Sequence, residues 1–537
     1  MVAKPSPLGA VAQPAATVCP SNTCPPHAKL LEPPGPHQRP ALQGVFLGVS
    51  VNWFDRSPVT RWPTLLTSFL LVLPWMAPWA SAPLPNVLPL LISWGCIGLL
   101  MASGLRLQAL DIARAWAMAA VLSSAIGLMQ YFGLAEAFSG WVHVPDVLGE
   151  ARANLRQRNQ LATLTSMGIL AVLWWARSGL VLTHALWMLA LIAIGNAATN
   201  SRTGLLQMIL VTALVMGWSL QRRQHQAHLS WRLVLWALGV YAAAIWALPH
   251  LLSNSSGTDA ISALTRMGND DGCGSRKVLW RNVIELIAQK PWWGWGWNEL
   301  KYAHYSANYS GERFCEILGN AHNAPLQLAF ALGVPIASLV TLSLIVITLA
   351  MRPWHARDAQ HQLTWGVLAV IGLHSLLEFP LWYGPFQLAV LLCAVLLTQP
   401  KLAYTHATQR ILPIMGAAIL ASTAFIAVDY SRVRQIFIPA NARSTLWGSD
   451  AVSVAKSSVL FHTTADFAEF SLTPVTPENA THLLAKGQSM LHYSPEPKVI
   501  RKVIEAAQMV GDVQTAQQHQ RLMKIAFPSE LIQPHAN

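Results

Sequence analysis

Apolar stretches of roughly 18 residues or more, most without an internal charge, recur along this chain from Trp62 to Val428. A helix rises about 1.5 Å per residue, so each stretch is long enough to cross roughly 30 Å of hydrocarbon. The composition agrees, because 53% of the 537 residues are hydrophobic and only 11% are charged. The mean hydropathy is +0.38, and many of the 23 tryptophans sit near the ends of apolar runs. The expected fold is therefore all-α, a polytopic helical membrane protein with about eleven transmembrane helices. A net charge of +12 raises the possibility of nucleic acid. No basic stripe with interleaved aromatics accompanies it, and cationic loops are what membrane topology demands, so no nucleic-acid partner is expected.

The expected spans are 62–79, 86–104, 115–135, 159–176, 180–200, 203–220, 233–253, 324–351, 363–378, 381–399 and 411–428. Residues 1–61 are proline-rich and lack an apolar run near Met1, so they read as a flexible cytoplasmic tail without a cleavable signal peptide. The transmembrane domain, 62–429, encloses a large loop, 254–323. Hydropathy falls after Val428, and 430–537 reads as a small soluble helical domain.

Lysine and arginine are retained on the cytoplasmic side. With the N-terminus inside, the short inner loops carry Arg106, Arg114, Arg177, Arg222, Arg223, Arg232, Arg352, Arg357, Lys401 and Arg410, against Arg152, Arg156, Arg158 and Arg202 in the short outer ones. The outer arginines are exceptions to the topology rule, which suggests another use for their charge. In this orientation spans four, six and eight begin outside, so their hydrogen-bond-donating N-termini face outward. Arg158-Asn159-Gln160 opens the fourth, Ser201-Arg202-Thr203 the sixth and His322-Asn323 the eighth. Three such ends at one depth form a site for a phosphate or pyrophosphate. A single arginine there would more simply be a snorkelling side chain or a headgroup contact, so the argument rests on convergence.

The outer loop adds Arg276, Lys277, Trp280 and Arg281, followed by Pro291-Trp-Trp-Gly-Trp-Gly-Trp. Residues 276–288 have helical spacing, with Val278, Leu279, Val283, Ile284 and Ile287 on one side, as in a helix lying on the membrane surface. Cys273 and Cys315 share this loop, and in an oxidising compartment they are expected to pair. Cys19 and Cys24 lie in the tail, Cys96 and Cys393 within spans. Asp270-Asp271 reads as solvated loop, and no metal-ligand spacing, Walker loop or dinucleotide fingerprint occurs. Neither a metal nor a cofactor is expected.

Arg-Gln-Arg-Asn-Gln-Leu-Ala (156–162), Ser-Arg-Thr-Gly (201–204), the Arg276 to Trp297 segment, His-Asn-x-x-Leu-Gln (322–327) and His-Ser-Leu-Leu-Glu-Phe-Pro-Leu-Trp-Tyr (374–383) occur in this order. The ordered set resembles the bacterial O-oligosaccharyltransferases of the PglL type, within the superfamily of O-antigen ligases and polymerases. Ala331 stands where a glutamate often follows in that family, and Phe379 where tyrosine is usual. The resemblance implies an inner-membrane glycosyltransferase with a periplasmic active site. It would move a glycan from undecaprenyl diphosphate to an acceptor hydroxyl, of a pilin-like protein for example, without metal. Arg158, Arg202, Arg276 and Arg281 would hold the diphosphate. His322 would deprotonate or orient the acceptor, a task suited to an imidazole, and Arg202 and Arg276 would assist catalysis. Asn159, Gln160, Asn323, Tyr383 and Glu378 would contact sugar or acceptor.

Several of these residues have plainer readings. Tyr383 would serve equally as an interface tyrosine. His374 and Glu378 would form a structural pair with each other or with an outer arginine, and Gln327 would continue the polar face inward from His322. In the C-terminal domain, 477–492 and 497–525 have helical spacing, like one tetratricopeptide hairpin, which either braces the fold or receives an acceptor. Lipid A core or a growing glycan is the alternative acceptor. A transporter fits less well, because its ionisable groups would cluster near the mid-membrane.

Overall fold

The helix that opens at Arg158 carries several polar residues along an apolar run, yet it is largely enclosed by protein. In the computed structural model, which describes residues 58–80, 82–105, 107–221, 228–256, 272–356, 358–398 and 406–528, all within the unit Val51–Asn537, helices dominate. Among the described residues the only β-pairing is an isolated bridge between Ser139 and Val142. Cys19, Cys24, Arg106, Arg222, Arg223, Asp270, Asp271, Arg357 and Lys401 lie outside them. So does the expected tail, except that the chain is already helical from Pro58.

The first half forms α1 (Pro58–Met76), α2 (Val87–Ala102), α3 (Ala109–Tyr131), α4 (Arg158–Arg177), α5 (Leu182–Ala198), α6 (Arg202–Ser219) and α7 (Trp231–Ser256). The loop contributes α8 (Arg276–Gln289) and α9 (Leu300–Ser306), then α10 (Ala324–Leu332), α11 (Val334–Met351), α12 (Ala359–Leu377), α13 (Gly384–Thr398) and α14 (His406–Arg434). Among the described residues five helices are long and apolar enough to cross a membrane: Ala109–Tyr131, Arg202–Ser219, Trp231–Asn254, Val334–His355 and Arg410–Phe437. Shorter apolar helices occupy Pro63–Met76, Val87–Ala102, Leu182–Ala198 and Gly384–Thr398. On α11 only Ala337 is buried, and Leu339, Leu342, Leu344 and Val346 are all more than half exposed, the surface expected of a lipid-facing helix.

α4 packs against α3, α5, α6 and α12. It buries Asn159, Gln160, Thr163, Thr165 and Ser166 along with its apolar residues. Such groups survive away from water only when hydrogen-bonded. Thr163 Oγ1 lies 2.8 Å from His374 Nδ1 and accepts from Gln207 Nε2 at 2.8 Å, tying α4 to α12 and α6.

The expected eighth span is two helices. Gly333, at φ 87° and ψ 160°, separates α10 from α11. The tryptophan-glycine segment lies against the break, backbone to backbone: Val334 N–H donates to Pro291 O at 2.7 Å, Trp295 N–H to Phe330 O at 2.8 Å and Gly296 N–H to Ala331 O at 3.1 Å. A Cβ at Gly333 would stand 2.2 Å from Trp292 O, and one at Gly294 2.6 Å from Ala331 C. These two glycines are required by close approach and positive φ. Ala331, at 2% exposure, forms part of the wall behind Gly294.

α8 also departs from expectation. Val278, Leu279, Val283, Leu286 and Ile287 pack with Leu318, Phe330 and Ala331 in a core inside the outer segment, so that apolar face is covered by protein instead of lying on lipid. Ile284 turns away and is 54% exposed. Cys273 and Cys315 are disulfide-bonded, 42 residues apart with Cα atoms 5.3 Å apart. Asn282 reinforces the same junction, donating to Glu312 O and accepting from Phe314 N–H.

The C-terminal region holds five helices, α15 (Ala451–Lys456), α16 (His462–Leu472), α17 (Ala480–Tyr493), α18 (Pro497–Met509) and α19 (Val513–Ala526). The expected 497–525 helix is broken at Gly511, φ 78°. This region docks on α9: Tyr305 Oη lies 2.9 Å from His519 Nδ1, Tyr302 stacks on His492, and His492 Nδ1 is 2.7 Å from Glu299.

Two outcomes follow. Gly333→Ala should lower stability by about 2 kcal/mol or more, because both the backbone angle and the Trp292 contact must change; an unaltered thermal unfolding temperature in detergent would refute the close-approach account. The second concerns His304, whose ring is held between Tyr309 Oη and Phe314 O. Burial, helped by Arg313, brings it down to about 3. Between its unfolded value near 6.5 and about 3 the unfolded chain binds the proton and the folded one does not, so stability falls as pH falls across that window. Protection factors of amides 300–318, corrected for the pH dependence of intrinsic exchange, should fall from pH 6.5 toward 4 more steeply in the wild type than in His304→Gln.

Candidate active site

Four helix starts at one end of the bundle are built alike. Gln157, Ser201, Ser275 and Asn323 each cap a helix by accepting a backbone N–H, from Gln160, Gly204, Val278 and Leu326 respectively. The first helical residue is arginine in three of them, Arg158, Arg202 and Arg276, and none of the four has an acid in its first turn. A helix N-terminus favours anions, so arginine there is unfavourable without negative charge nearby, and Glu150 beside Arg158 and Glu378 beside Arg276 supply part of it.

The three arginines line one cavity of about 730 Å³, together with Asn159, Lys277, Trp280 and Arg281. Glu285 is the acid in its wall, and Leu206, Ile284 and Leu377 supply an apolar side. The expected convergence of Arg158, Arg202, Arg276 and Arg281 thus occurs, with the start of α8 joining those of α4 and α6. Trp280 Nε1–H donates to Ala321 O at 3.1 Å, joining the cavity wall to the residue before His322.

His322 stands beside this cavity and is connected to it by Glu378. The expected ninth span ends as a helix at Leu377, leaving Glu378 in the segment beyond it. One carboxylate oxygen accepts from Arg276 Nη2 at 2.6 Å and Asn159 Nδ2 at 3.0 Å, and the other lies 3.4 Å from His322 Nδ1. At that distance the histidine contact is electrostatic; Nδ1 is buried and makes no hydrogen bond of good geometry. Burial favours the neutral acid, but His322, Arg276 and His374 prevail and bring the Glu378 carboxyl down to about 2. Asn159 is itself held by Ser201 Oγ–H at 2.6 Å, and Arg276 also donates to Leu377 O. The His322 backbone is left-handed, φ 50°, a conformation that costs energy for a non-glycine residue. Its N–H donates to Asn320 Oδ1 at 2.8 Å, and its ring meets Phe379 edge-on.

Other expected site residues take supporting positions. Asn323 spends its side chain on the α10 cap and on Leu376 O. Gln327 accepts from Ala321 N–H instead of continuing a polar face. Gln160 is buried. Tyr383 stacks on Phe379, its hydroxyl near Asn86 and Gln160. Glu378 pairs with Arg276 instead of His374, which turns to Thr163. Arg152 and Arg156 lie outside the cavity lining; Arg156 donates to Pro78 O. Sequence reasoning missed Glu150, 5% exposed, which accepts from Arg152 Nε and Arg158 Nη1, each at 2.8 Å. A lone carboxylate ahead of three arginines was its signal.

Three protein families match the chain in separate segments. "Protein glycosylation ligase" covers 151–176, "O-Antigen ligase" 187–341 and "Virulence factor membrane-bound polymerase, C-terminal" 362–536. The Arg158, Arg202, Arg276, His322 and Glu378 positions all fall within them, and the fold gathers them at one place. In these segments the chain is similar to the O-antigen ligases and the protein glycosylation ligases. It is 26% identical over 381 residues to the General O-oligosaccharyltransferase of Acinetobacter baylyi, covering 68% of this chain and 64% of that protein. With the ComP-specific O-oligosaccharyltransferase of the same organism it shares 24% over 297 residues, 54% of this chain and 53% of the relative. The match thus spans less than two thirds of either relative.

Glu150→Ala strips Arg152 and Arg158 of a shared carboxylate, and should lower stability by about 2 kcal/mol, less than for a wholly buried pair because both arginines reach solvent. Glu150→Asp should recover part of it. Equal unfolding temperatures for all three proteins would dismiss the clamp.

Proposed function

We propose that this chain is an O-linked oligosaccharyltransferase, moving a glycan en bloc from undecaprenyl diphosphate to serine or threonine hydroxyls of periplasmic or pilin-like proteins. The observation that carries the reading is the cavity in which Arg158, Arg202, Arg276 and Arg281 meet beside His322. The donor is already activated, so the protein's task is to stabilise the charge that develops on the diphosphate as the glycosidic C–O bond breaks, and to aim the acceptor. The arginines and helix N-termini do the first. His322 does the second: Nδ1 faces Glu378, leaving Nε2 to take the hydroxyl proton, while the carboxylate orients the ring and stabilises the imidazolium. Attack opposite the leaving diphosphate inverts the anomeric centre, and no step requires a metal.

In this reading about eleven helices span the inner membrane, the N-terminus is cytoplasmic, and the cavity, the 254–323 loop and the C-terminal helices are periplasmic. Residues 62–429 form the catalytic domain and 430–537 the periplasmic helical one. Asn159, which lines the cavity, and Tyr383, beside Phe379, would contact sugar or acceptor.

The test is reconstitution of the purified chain with polyprenyl-diphosphate oligosaccharide, offering a pilin-like protein and a lipid A core side by side. Glycan should appear on protein. Turnover should drop at least about 100-fold in His322→Ala and about 10- to 100-fold in Glu378→Gln. Transfer to lipid alone would reassign the chain as a ligase, and undiminished transfer by His322→Ala would remove the base.

A further inference from the structure

α4 and α6 carry the bundle roughly 27–30 Å away from the Glu378 cluster, and at their far ends lies a second basic cavity. Its volume is about 500 Å³, and Arg177, Ser219, His228, Ser230, Trp231 and Arg232 line it, with Leu229. No carboxylate is among these residues. Arg177 ends α4, Ser219 ends α6, and Trp231 and Arg232 begin α7, which has no acid in its first turn. The cavity therefore combines two guanidinium groups, two hydroxyls and a helix N-terminus with an indole and a leucine.

The hydrogen bonds of Gln362 decide what His228 offers. Gln362 is fully buried, and its Oε1 accepts from Leu229 N–H at 2.9 Å. Its Nε2 must then be the donor, giving hydrogens to Ala356 O at 3.2 Å and to His228 Nδ1. An imidazole that accepts at Nδ1 carries its proton at Nε2. That Nε2–H is buried and has no partner among the described residues. An unpaired buried donor is costly and calls for an acceptor. The two guanidinium groups, the Ser230 hydroxyl and the His228 Nε2–H all suit an oxyanion, whereas the Ser219 hydroxyl donates to Met216 O at 2.7 Å.

We propose that this cavity binds the phosphate of an anionic lipid headgroup, with Arg177, Arg232 and the α7 N-terminus on the oxygens and Leu229 and Trp231 beside the glycerol and chains. Basic pockets between membrane helices are a known form of lipid site, distinct from diffuse attraction of scattered cations. The alternative source of the same chemistry is free phosphate.

Native mass spectrometry of the full chain from detergent, titrated with phosphatidylglycerol, phosphatidylcholine or inorganic phosphate, tests this. The wild type should hold one phosphatidylglycerol in preference to phosphatidylcholine. The double variant Arg177→Gln/Arg232→Gln should bind it roughly thirtyfold more weakly, the worth of two such contacts. Arg352→Gln/Arg410→Gln, removing equal charge outside the cavity, should bind within about threefold of wild type. Phosphatidylglycerol should also raise the unfolding temperature of the wild type and the control but not of the cavity variant, which guards against mere misfolding. Equal weakening in both variants, or none in either, overturns the proposal. Binding of inorganic phosphate with no preference between the two lipids overturns the lipid assignment.

Discussion

A carboxylate removed from water must find positive charge or hydrogen-bond donors, and Glu378 does so by drawing on three distant parts of the chain. Asn159 comes from the first turn of α4, Arg276 from the first turn of the loop helix, and His322 from the left-handed residue just ahead of α10. Removing the carboxylate would take away the ion-pair partner of Arg276 and the anion beside the His322 ring. The cluster is thus both a structural junction and the electrostatic frame of the cavity. It fixes which face of Arg276 meets Glu378 and which face meets the space shared with Arg158 and Arg202.

A second constraint operates through the backbone. The Pro291 to Trp297 segment pairs with the interrupted helix at Phe330, Ala331 and Val334, where neither chain has room for a side chain at Gly294 or Gly333. With the disulfide between Cys273 and Cys315, this closes the loop at both ends, so that the start of α8 has little freedom relative to His322. Docking of the C-terminal helices on α9 adds a brace to the same end of the molecule.

Much of this was legible beforehand. Helices formed over the apolar runs, five of the described ones long and apolar enough to cross a membrane, because an apolar run and a helix satisfy the same requirement, burial of side chains with an internally bonded backbone. Of the four arginines that stood out as violations of a charge rule, Arg158 and Arg202 meet in the cavity, whereas Arg152 and Arg156 do not line it. What failed failed for tertiary reasons. α8 is amphipathic whether its apolar face meets lipid or the protein core, and periodicity does not distinguish the two. Asn323 and Gln327 are polar residues near a site, yet their groups are consumed by a cap and by the Ala321 N–H. Glu150 was overlooked because a lone carboxylate becomes meaningful only when Arg152 and Arg158, which follow it, are seen to turn toward it.

Composition and patterning by themselves determined that this is a helical membrane protein, which helices start with basic residues, and that two loop cysteines share a compartment, since each depends on local hydropathy, charge or spacing. Only the tertiary structure decided that Glu378 is the link between Arg276 and His322, that the eighth hydrophobic stretch breaks at Gly333, and which polar groups remain facing the cavity. Those depend on contacts between residues 35 to more than 200 positions apart, and a one-dimensional pattern carries no record of which distant partner a residue will reach.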